Sequence, residues 1–321
     1  MNLKSLIPYY KETKKESTFE FTFTVFTPVY NRAQTIQRVF DSLHAQTFTD
    51  FEWIIINDGS TDDSHKVIEQ LIKKSTLNIT YINNSENKHK MACLVQGIAM
   101  AKGKFFLPFD SDDTCVPNAL EVFIKTYREI PDKMKPSISG VTCMCIDQYG
   151  KPVGKEFPVS PYYSNTFSNL LEGKYNDEKW GFIKTRLLKN VVVNPEIFSK
   201  GYIPEGVIWT LFSKLNFKTC YINHALRVYY IEDTNNSITG DSLKNRAFGL
   251  MVYSLAIQNH FFEKYFFKNP GLFLKQFYYL LKTAKYVKIP LKDYLKSLDN
   301  AILKIAFVLC WPFRFLLHLK P

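Results

Sequence analysis

The sequence predicts an α/β fold, a mostly parallel central sheet flanked by helices with a helical extension at its C-terminal end. Three observations lead there. Over residues 1–113, apolar strand-like runs alternate with segments of helical period. Three of those runs end in polar or acidic residues, at 27–30, at Asp58, and at Asp110 with Asp112. From about residue 236 the composition turns to Lys, Phe, Tyr and Leu.

Residues 1–20 read as a polar leader without the long apolar core of a secretory signal. At Phe21 a strict alternation begins, with Phe21, Phe23 and Val25 set against Thr22 and Thr24, which is a strand pattern. Pro28 and Asn31 turn it into a loop. Ile36, Val39, Phe40 and Leu43 then recur at helical spacing. A second strand, Trp53-Ile54-Ile55-Ile56, ends in Asn57-Asp58-Gly59-Ser60-Thr61-Asp62-Asp63, where Ser60 and Asp63 stand at capping-box spacing before another amphipathic helix. A third strand near 77–82, a polar loop at 83–90, a helix near 91–101 and a fourth strand from Lys104 complete the pattern. Strands alternating with helices in this way form right-handed parallel crossovers. Ligands of such sheets bind outside the carboxyl ends of the strands.

Beyond that half the sequence predicts a helix over 118–129 and a strand over 138–146. It shows no clean period over 151–180. A helix is expected to start at Pro204-Glu205, with Trp209, Phe212 and Leu215 on its apolar face. Two strands, near 219–222 and 226–231, would close the domain. The expected organisation is a leader at 1–20, one domain over 21–235 with halves at 21–115 and 116–235, and a basic aromatic tail over 236–321.

Composition narrows the class. A hydrophobic share of 46% and an aromatic share of 16% supply an ample core, so the chain is no disordered segment. The net charge of +11 is uneven. Residues 241–321 carry 13 Lys and Arg against 4 Asp and Glu, whereas residues 1–240 carry 28 against 26. The basic character therefore belongs to the tail. No nucleic-acid fold motif accompanies it, so nucleic acid is not an expected partner. Residues 301–319 are strongly apolar but interrupted by Lys304, Pro312 and Arg314, which suits an interfacial helix on an anionic membrane surface or a helix packed on the domain. The six cysteines are scattered in apolar surroundings. Cys143 and Cys145 have no second close pair to complete a zinc set, and reduced thiols in a cytoplasmic setting are expected.

The stretch over 104–113, Lys-Phe-Phe-Leu-Pro-Phe-Asp-Ser-Asp-Asp, concentrates the chemistry. A buried strand delivers Asp110 and Asp112 to a sheet edge, two residues apart and so on one side. Adjacent carboxylates repel. A hard divalent cation, Mn²⁺ or Mg²⁺, relieves the repulsion with help from a substrate phosphate. The same acids also suit a helix N-terminus.

Taken together, Thr27-Pro28-Val29-Tyr30-Asn31, Asn57-Asp58-Gly59-Ser60-Thr61-Asp62 and Asp110-Ser111-Asp112-Asp113, in that order and spacing, resemble the family 2 glycosyltransferases. Lys88, Ala92, Gly97 and Ala101-Lys102-Gly103-Lys104 are similar to the segment ahead of that family's metal (DxD) motif. The resemblance covers about residues 20–235. It implies the GT-A fold and inverting sugar transfer from a nucleotide-diphosphate donor, with a uridine base expected, to a glycan or lipid-linked acceptor in surface polysaccharide synthesis. It implies Asp112 as ligand to Mn²⁺ or Mg²⁺, with Asp110 and Ser111 beside the donor and metal. It places Asp58 on the base or ribose, and Thr27, Pro28 and Tyr30 around the base. Lys88 would offset phosphate charge, or stand as a solvated loop lysine. Tyr30 has the alternative of simple loop packing.

Inverting transfer also needs a base for the acceptor hydroxyl. Pro204-Glu205-Gly206 matches one version of the family's segment and nominates Glu205, although many relatives carry an adjacent Glu-Asp pair and here Gly206 follows. Asp177, Glu178 and Glu196 compete, and Glu205 also suits a helix's first turn. Arg227 stands near the same region, as a phosphate or acceptor contact or as a strand-edge charge. Such an enzyme would work at the inner face of the cell membrane. The alternative is a non-catalytic nucleotide-sugar-binding protein of the same fold.

Overall fold

The computed structural model describes residues 2–12, 18–175, 177–231 and 242–317. A 3₁₀ turn at Leu3–Leu6 leads into β1 (Tyr9–Tyr10). There follow β2 (Phe21–Val29), α1 (Ile36–His44), β3 (Phe51–Asp58), α2 (Ser64–Lys74), β4 (Asn78–Asn84), α3 (His89–Met100) and β5 (Gly103–Pro108). These seven elements follow the expected strand–helix alternation. The second half contains β6 (Thr114–Cys115), α4 (Ala119–Glu129), β7 (Ile138–Asp147), β8 (Pro152–Val153), β9 (Tyr162–Ser164), α5 (Thr166–Glu172), β10 (Lys179–Lys184), α6 (Thr185–Lys189), β11 (Val191–Val192), α7 (Gly206–Lys214) and β12 (Lys218–Tyr229). The C-terminal extension is α8 (Leu243–Tyr265), α9 (Pro270–Val287), α10 (Leu291–Ser297) and α11 (Ala301–Cys310).

Among the described residues the main sheet has ten strands in the order β4-β3-β2-β5-β10-β7-β12-β6, with β8 on β7 and β9 on β12. β4, β3, β2 and β5 are mutually parallel, and β7 and β12 are parallel to each other. β10 runs antiparallel between β5 and β7. The sheet is thus mixed, with a parallel left half. The two strands expected near 219–231 are a single strand, β12. Its register against β7 shifts between Ile222 and Ala225. There Asn223 leaves the ladder: its Oδ1 accepts from Phe157 N–H at 2.9 Å and its Nδ2 donates to Phe157 O at 2.9 Å.

Both faces of the sheet are covered, which is why β3 is buried along its whole length and reads as a continuous apolar run. Trp53 and Ile55 join one core with α1, α2 and α4, while Ile54 and Ile56 face the other with α3 and α7. Fully burying one such side chain contributes about 1.5–3 kcal/mol. β2 and β5 approach so closely that a Cβ on Gly103 would lie 2.2 Å from Thr24 N.

The C-terminal helices belong to the second core. Met251, Val252, Leu255 and Ile257 of α8 are buried with residues of α3, α7 and the first turn, Leu3 and Leu6. Leu3 N–H donates to Ser297 Oγ at 3.0 Å, so residues near the two ends of the chain are joined. Among the described residues no helix is long and apolar enough to cross a membrane. The expected boundary near residue 235, part of the leader (13–17) and the last residues of the apolar end (318–321) lie outside the described residues. The five cysteines Cys93, Cys115, Cys143, Cys145 and Cys220 are buried free thiols, and Cys310 is a half-buried one.

Candidate active site

The carboxyl ends of β2, β3 and β5 open into one cleft of about 1610 Å³, larger than the roughly 300–1,000 Å³ that encloses a single small ligand. Two loops build its first wall. The loop after β2 is tied to the loop after β3: Asn31 N–H donates to Ser60 Oγ (2.9 Å), Thr61 N–H to Asn31 Oδ1 (2.8 Å) and Arg32 N–H to Ser64 Oγ (2.8 Å). Pro28, Tyr30 and Asp58 line the cleft, Tyr30 with its ring exposed. Thr27 lies beneath them, fully buried, its Oγ1 accepting from Trp53 Nε1 at 2.9 Å.

Asp58 is buried at the end of β3. Its Oδ1 accepts from Lys88 N–H (2.9 Å) and Asn84 Nδ2 (3.3 Å). Gly59 has φ +68°, and a Cβ there would lie 2.5 Å from the Glu86 carbonyl carbon, so a side chain would push this loop away from Asp58. Lys88 thus contributes its backbone to the site. Lys90, two residues on, contributes its ammonium and lines the cleft. Sequence reasoning missed it. The residue between, His89, takes φ 67°, and this left-handed turn redirects the chain so that α3 opens with Lys90 facing inward.

The acidic loop after β5 forms the floor. Thr35 Oγ1 donates to Ser111 O at 2.8 Å and anchors the loop to α1. Lys90 Nζ lies 2.8 Å from Asp110 Oδ1 and 3.3 Å from Glu205 Oε1, so one ammonium bridges the acidic loop and the opposite wall. Arg227, on β12 and almost wholly buried, donates from Nη2 to Asp110 Oδ2 (2.9 Å), from Nη1 to Glu178 Oε1 (3.1 Å) and from Nε to Asp113 Oδ2 (2.7 Å), with a second bond from Nη2 to Asp113. Asp113 caps no helix. Its Oδ1 accepts from Tyr230 N–H at 2.9 Å, which fixes the end of β12. Asp112 pairs with Arg32 Nε at 3.3 Å.

The charges follow from this geometry. Burial raises the Asp110 carboxyl, but Lys90 and Arg227 outweigh it and hold the group well below the usual carboxylate range. Asp112 is pushed up by burial and by the Asp110 charge beside it. Burial works against the Lys90 ammonium, yet Asp110 and Glu205 hold its pKa above the ordinary lysine value.

Glu205 stands at the N-cap position of α7, and its side chain makes no capping bond to that helix. It turns instead toward Lys90. Its Oε1 is buried and close to that ammonium without hydrogen-bond geometry, so it retains a lone pair for another donor. Of the competing acids, Asp177 accepts from Lys155 N–H at 3.2 Å and Glu178 is bound to Arg227. Both line the cleft, whereas Glu196 lies outside it. Among the described residues, no group of three or more His, Cys, Asp and Glu side chains converges as a metal cage.

The family model for glycosyl transferase family 2 matches residues 24–183. A β-1,3-glucosyltransferase of Campylobacter jejuni, named for the acceptor GalNAc(5)-diNAcBac-PP-undecaprenol, is 25% identical over 89% of this chain and 91% of its own length. The glycosyltransferase GlyG of Streptococcus pneumoniae is 25% identical over 64% of this chain and 69% of its own. In fold, the chain is similar to S. aureus TarS residues 1–349 in complex with UDP-GlcNAc, with a TM-score of 0.56 at 17% identity, over 86% of this chain and 78% of that one. The chain belongs to glycosyltransferase family 2. It is an inverting enzyme of the GT-A fold that takes its sugar from a nucleotide-diphosphate-sugar donor, in the manner of enzymes of polysaccharide synthesis.

Proposed function

We propose that this enzyme moves a sugar from a uridine-diphosphate-sugar to a hydroxyl of a lipid-linked glycan at an anionic membrane surface on the cytoplasmic side. In this reading Glu205 is the general base and Asp112 holds Mn²⁺ or Mg²⁺ together with the donor diphosphate. The observation that carries the reading is the bridge Glu205–Lys90–Asp110, which sets a carboxylate across the cleft from the acidic loop.

Each residue then has a task. Pro28 and Tyr30 bound the nucleoside, Tyr30 with its ring face, while Thr27 supports them from below. Asp58 accepts from the base or ribose. Asp110 and Ser111 lie along the donor, and Lys90 meets phosphate charge from within the cleft, with Lys88 ordering Asp58 through its backbone. Glu205 takes the acceptor's proton as its oxygen attacks the anomeric carbon, and the bond to the diphosphate breaks on the opposite side. Arg227 keeps Asp110 and Asp113 in place.

The donor set fits a hard cation. Asp112 faces the cleft, burial and Asp110 raise it, and a positive charge relieves both effects. Mg²⁺-type sites commonly use one or two carboxylates with substrate phosphates rather than a full protein cage. When bound, such an ion stabilises the charge developing on the leaving diphosphate.

Support for the acceptor comes from the Campylobacter relative, whose name specifies a lipid-linked oligosaccharide. The surface of α11 supports the membrane partner. Leu303 and Phe307 pack inward, while Ile302, Ile305, Val308 and Leu309 are exposed, as are Phe313, Phe315 and Leu316 just beyond. Lys304 and Arg314 lie among them and residues 301–317 contain no acid. An apolar face flanked by cations suits headgroup depth. The test is mass-spectrometric detection of transfer, using a panel of UDP-sugars with Mn²⁺ and undecaprenyl-diphosphate-linked glycans. The reading predicts one productive donor, and absence of transfer from every UDP-sugar while another nucleotide's sugar is used would overturn the uridine assignment.

A further inference from the structure

A second cavity lies at the other end of the sheet, away from the carboxyl ends of the strands. Its volume is about 280 Å³ and its walls include Lys104, Tyr127, Asp132, Lys135, Lys184 and Arg186. Lys104 is the second residue of β5 and Asp110 follows six residues later, beyond the strand's other end, so about 20 Å of extended chain separates the two. Lys184 closes the antiparallel β10, paired with Phe105. The nucleotide cleft and this cavity are therefore opposite ends of the same two strands.

Its charge is unbalanced. Three ammonium groups gather on one ring: Lys104, Lys135 and Lys184 lie 5.9, 5.9 and 5.6 Å from the centroid of Tyr127. Arg186 adds a guanidinium. Against these four cations, Asp132 is the one carboxylate among the described lining residues, and it is exposed and paired to Lys135 at 2.7 Å. Lys184 is only 7% exposed, and its Nζ donates to the Lys135 carbonyl. An ammonium has three donors, so that single bond leaves capacity for a ligand. Burial above all, then the charges of Arg186, Lys104 and Lys135, push Lys184 down to about 8.

We propose that this cavity is a second anion site, for a phosphate group presented as inorganic phosphate or as a phosphomonoester. Several cations converging from different elements match the three terminal oxygens of a phosphate better than the two of a carboxylate. The volume is too small for a nucleotide-sugar and sufficient for one phosphate head. The assignment is independent of which residues act in the cleft.

Two variants test it on the full chain. Lys104→Ala/Arg186→Ala removes two exposed charges without touching the core, and Lys184→Met removes the buried one. Calorimetric titration with inorganic phosphate at constant ionic strength reads the free ligand. Sedimentation with phosphatidic acid vesicles, against phosphatidylcholine vesicles, reads the same group on a lipid. A loss of affinity of at least tenfold for phosphate in both variants, with donor turnover unchanged in the double variant, supports a site for a soluble phosphate. The same loss confined to phosphatidic acid vesicles supports a headgroup. Affinities unchanged in both arms would overturn the proposal, since any remaining phosphate binding would then belong to the nucleotide cleft.

Discussion

Arg227→Met probes how the acidic loop is held. Its side chain is 4% exposed and its guanidinium bonds three carboxylates, of which that of Asp113 has a side chain 1% exposed. Methionine keeps much of the side chain's length and removes every donor. Asp110 retains Lys90 and Glu178 is 41% exposed to solvent, so neither is stranded. Asp113 keeps only Tyr230 N–H, and burial pushes its carboxyl up to about 7 even beside the guanidinium, so well above that pH it is left as a buried charge. Breaking a buried pair from one side costs about 3–5 kcal/mol, a large part of the roughly 5–15 kcal/mol that holds a typical protein folded. Urea unfolding followed by circular dichroism reads the loss directly. Two controls separate charge stranding from lost packing. Asp113→Asn added to Arg227→Met removes the stranded charge, keeps an acceptor for Tyr230, and restores at least half of the lost stability. Arg227→Lys keeps the charge but not the planar fork, and falls between. The cost of Arg227→Met shrinks as pH falls through about 7, where the buried Asp113 takes up a proton. A loss under about 1 kcal/mol, or a double variant no better than the single one, would refute this account of the loop.

Other consequences are equally direct. Asp112→Asn removes the Mn²⁺-dependent part of the thermal stabilisation by UDP, which for a ligand at a hundredfold its Kd is about 2.7 kcal/mol, while leaving the metal-free melting point within a degree or two. Equal Mn²⁺-dependent shifts in both proteins would exclude Asp112 as the ligand. Burial and then Lys214 hold His260 down at about 4, so between its unfolded value and that point the unfolded chain binds a proton the folded chain refuses. Stability is therefore lost as pH falls from about 6.5 to 4, by up to about 3 kcal/mol, and His260→Gln flattens that part of the profile. An unchanged profile in the variant would assign the acid sensitivity elsewhere. Ile305→Asp/Leu309→Asp, on the exposed face of α11, lowers retention on phosphatidylglycerol vesicles at least tenfold without changing turnover of a water-soluble acceptor, and unchanged retention would remove α11 from the membrane contact.

The parallel half of the sheet is legible in the sequence because its inner strands β2, β3 and β5 are largely buried on both faces and its helices on one. Trp53-Ile54-Ile55-Ile56 and Lys104-Phe-Phe-Leu can hardly be read otherwise, and Asp58 and Asp110 follow them directly. The antiparallel strand β10 is not legible. It is edged by an aperiodic stretch, and its place between β5 and β7 is set by long-range pairing that leaves no local pattern. The bend that unites β12 likewise depends on Asn223 reaching Phe157, a contact across 66 residues. Lys90 and Lys88 are indistinguishable as letters, and the left-handed His89 between them decides which side chain enters the cleft. Arg227 reads as a strand-edge charge because its three carboxylate partners are at least 49 residues away. The tail shows why a choice between packing and exposure was open: α11 has one face in the core and the other in solvent.

The most direct test of the central claim is the turnover of Glu205→Gln under saturating donor and acceptor. Glutamine preserves the shape of the side chain and loses only its capacity to accept the proton. The account predicts a fall in kcat of about 10²–10⁴-fold, with UDP and Mn²⁺ still stabilising the variant as they do the natural protein. A kcat within threefold of the natural enzyme, at equal donor affinity, would contradict it.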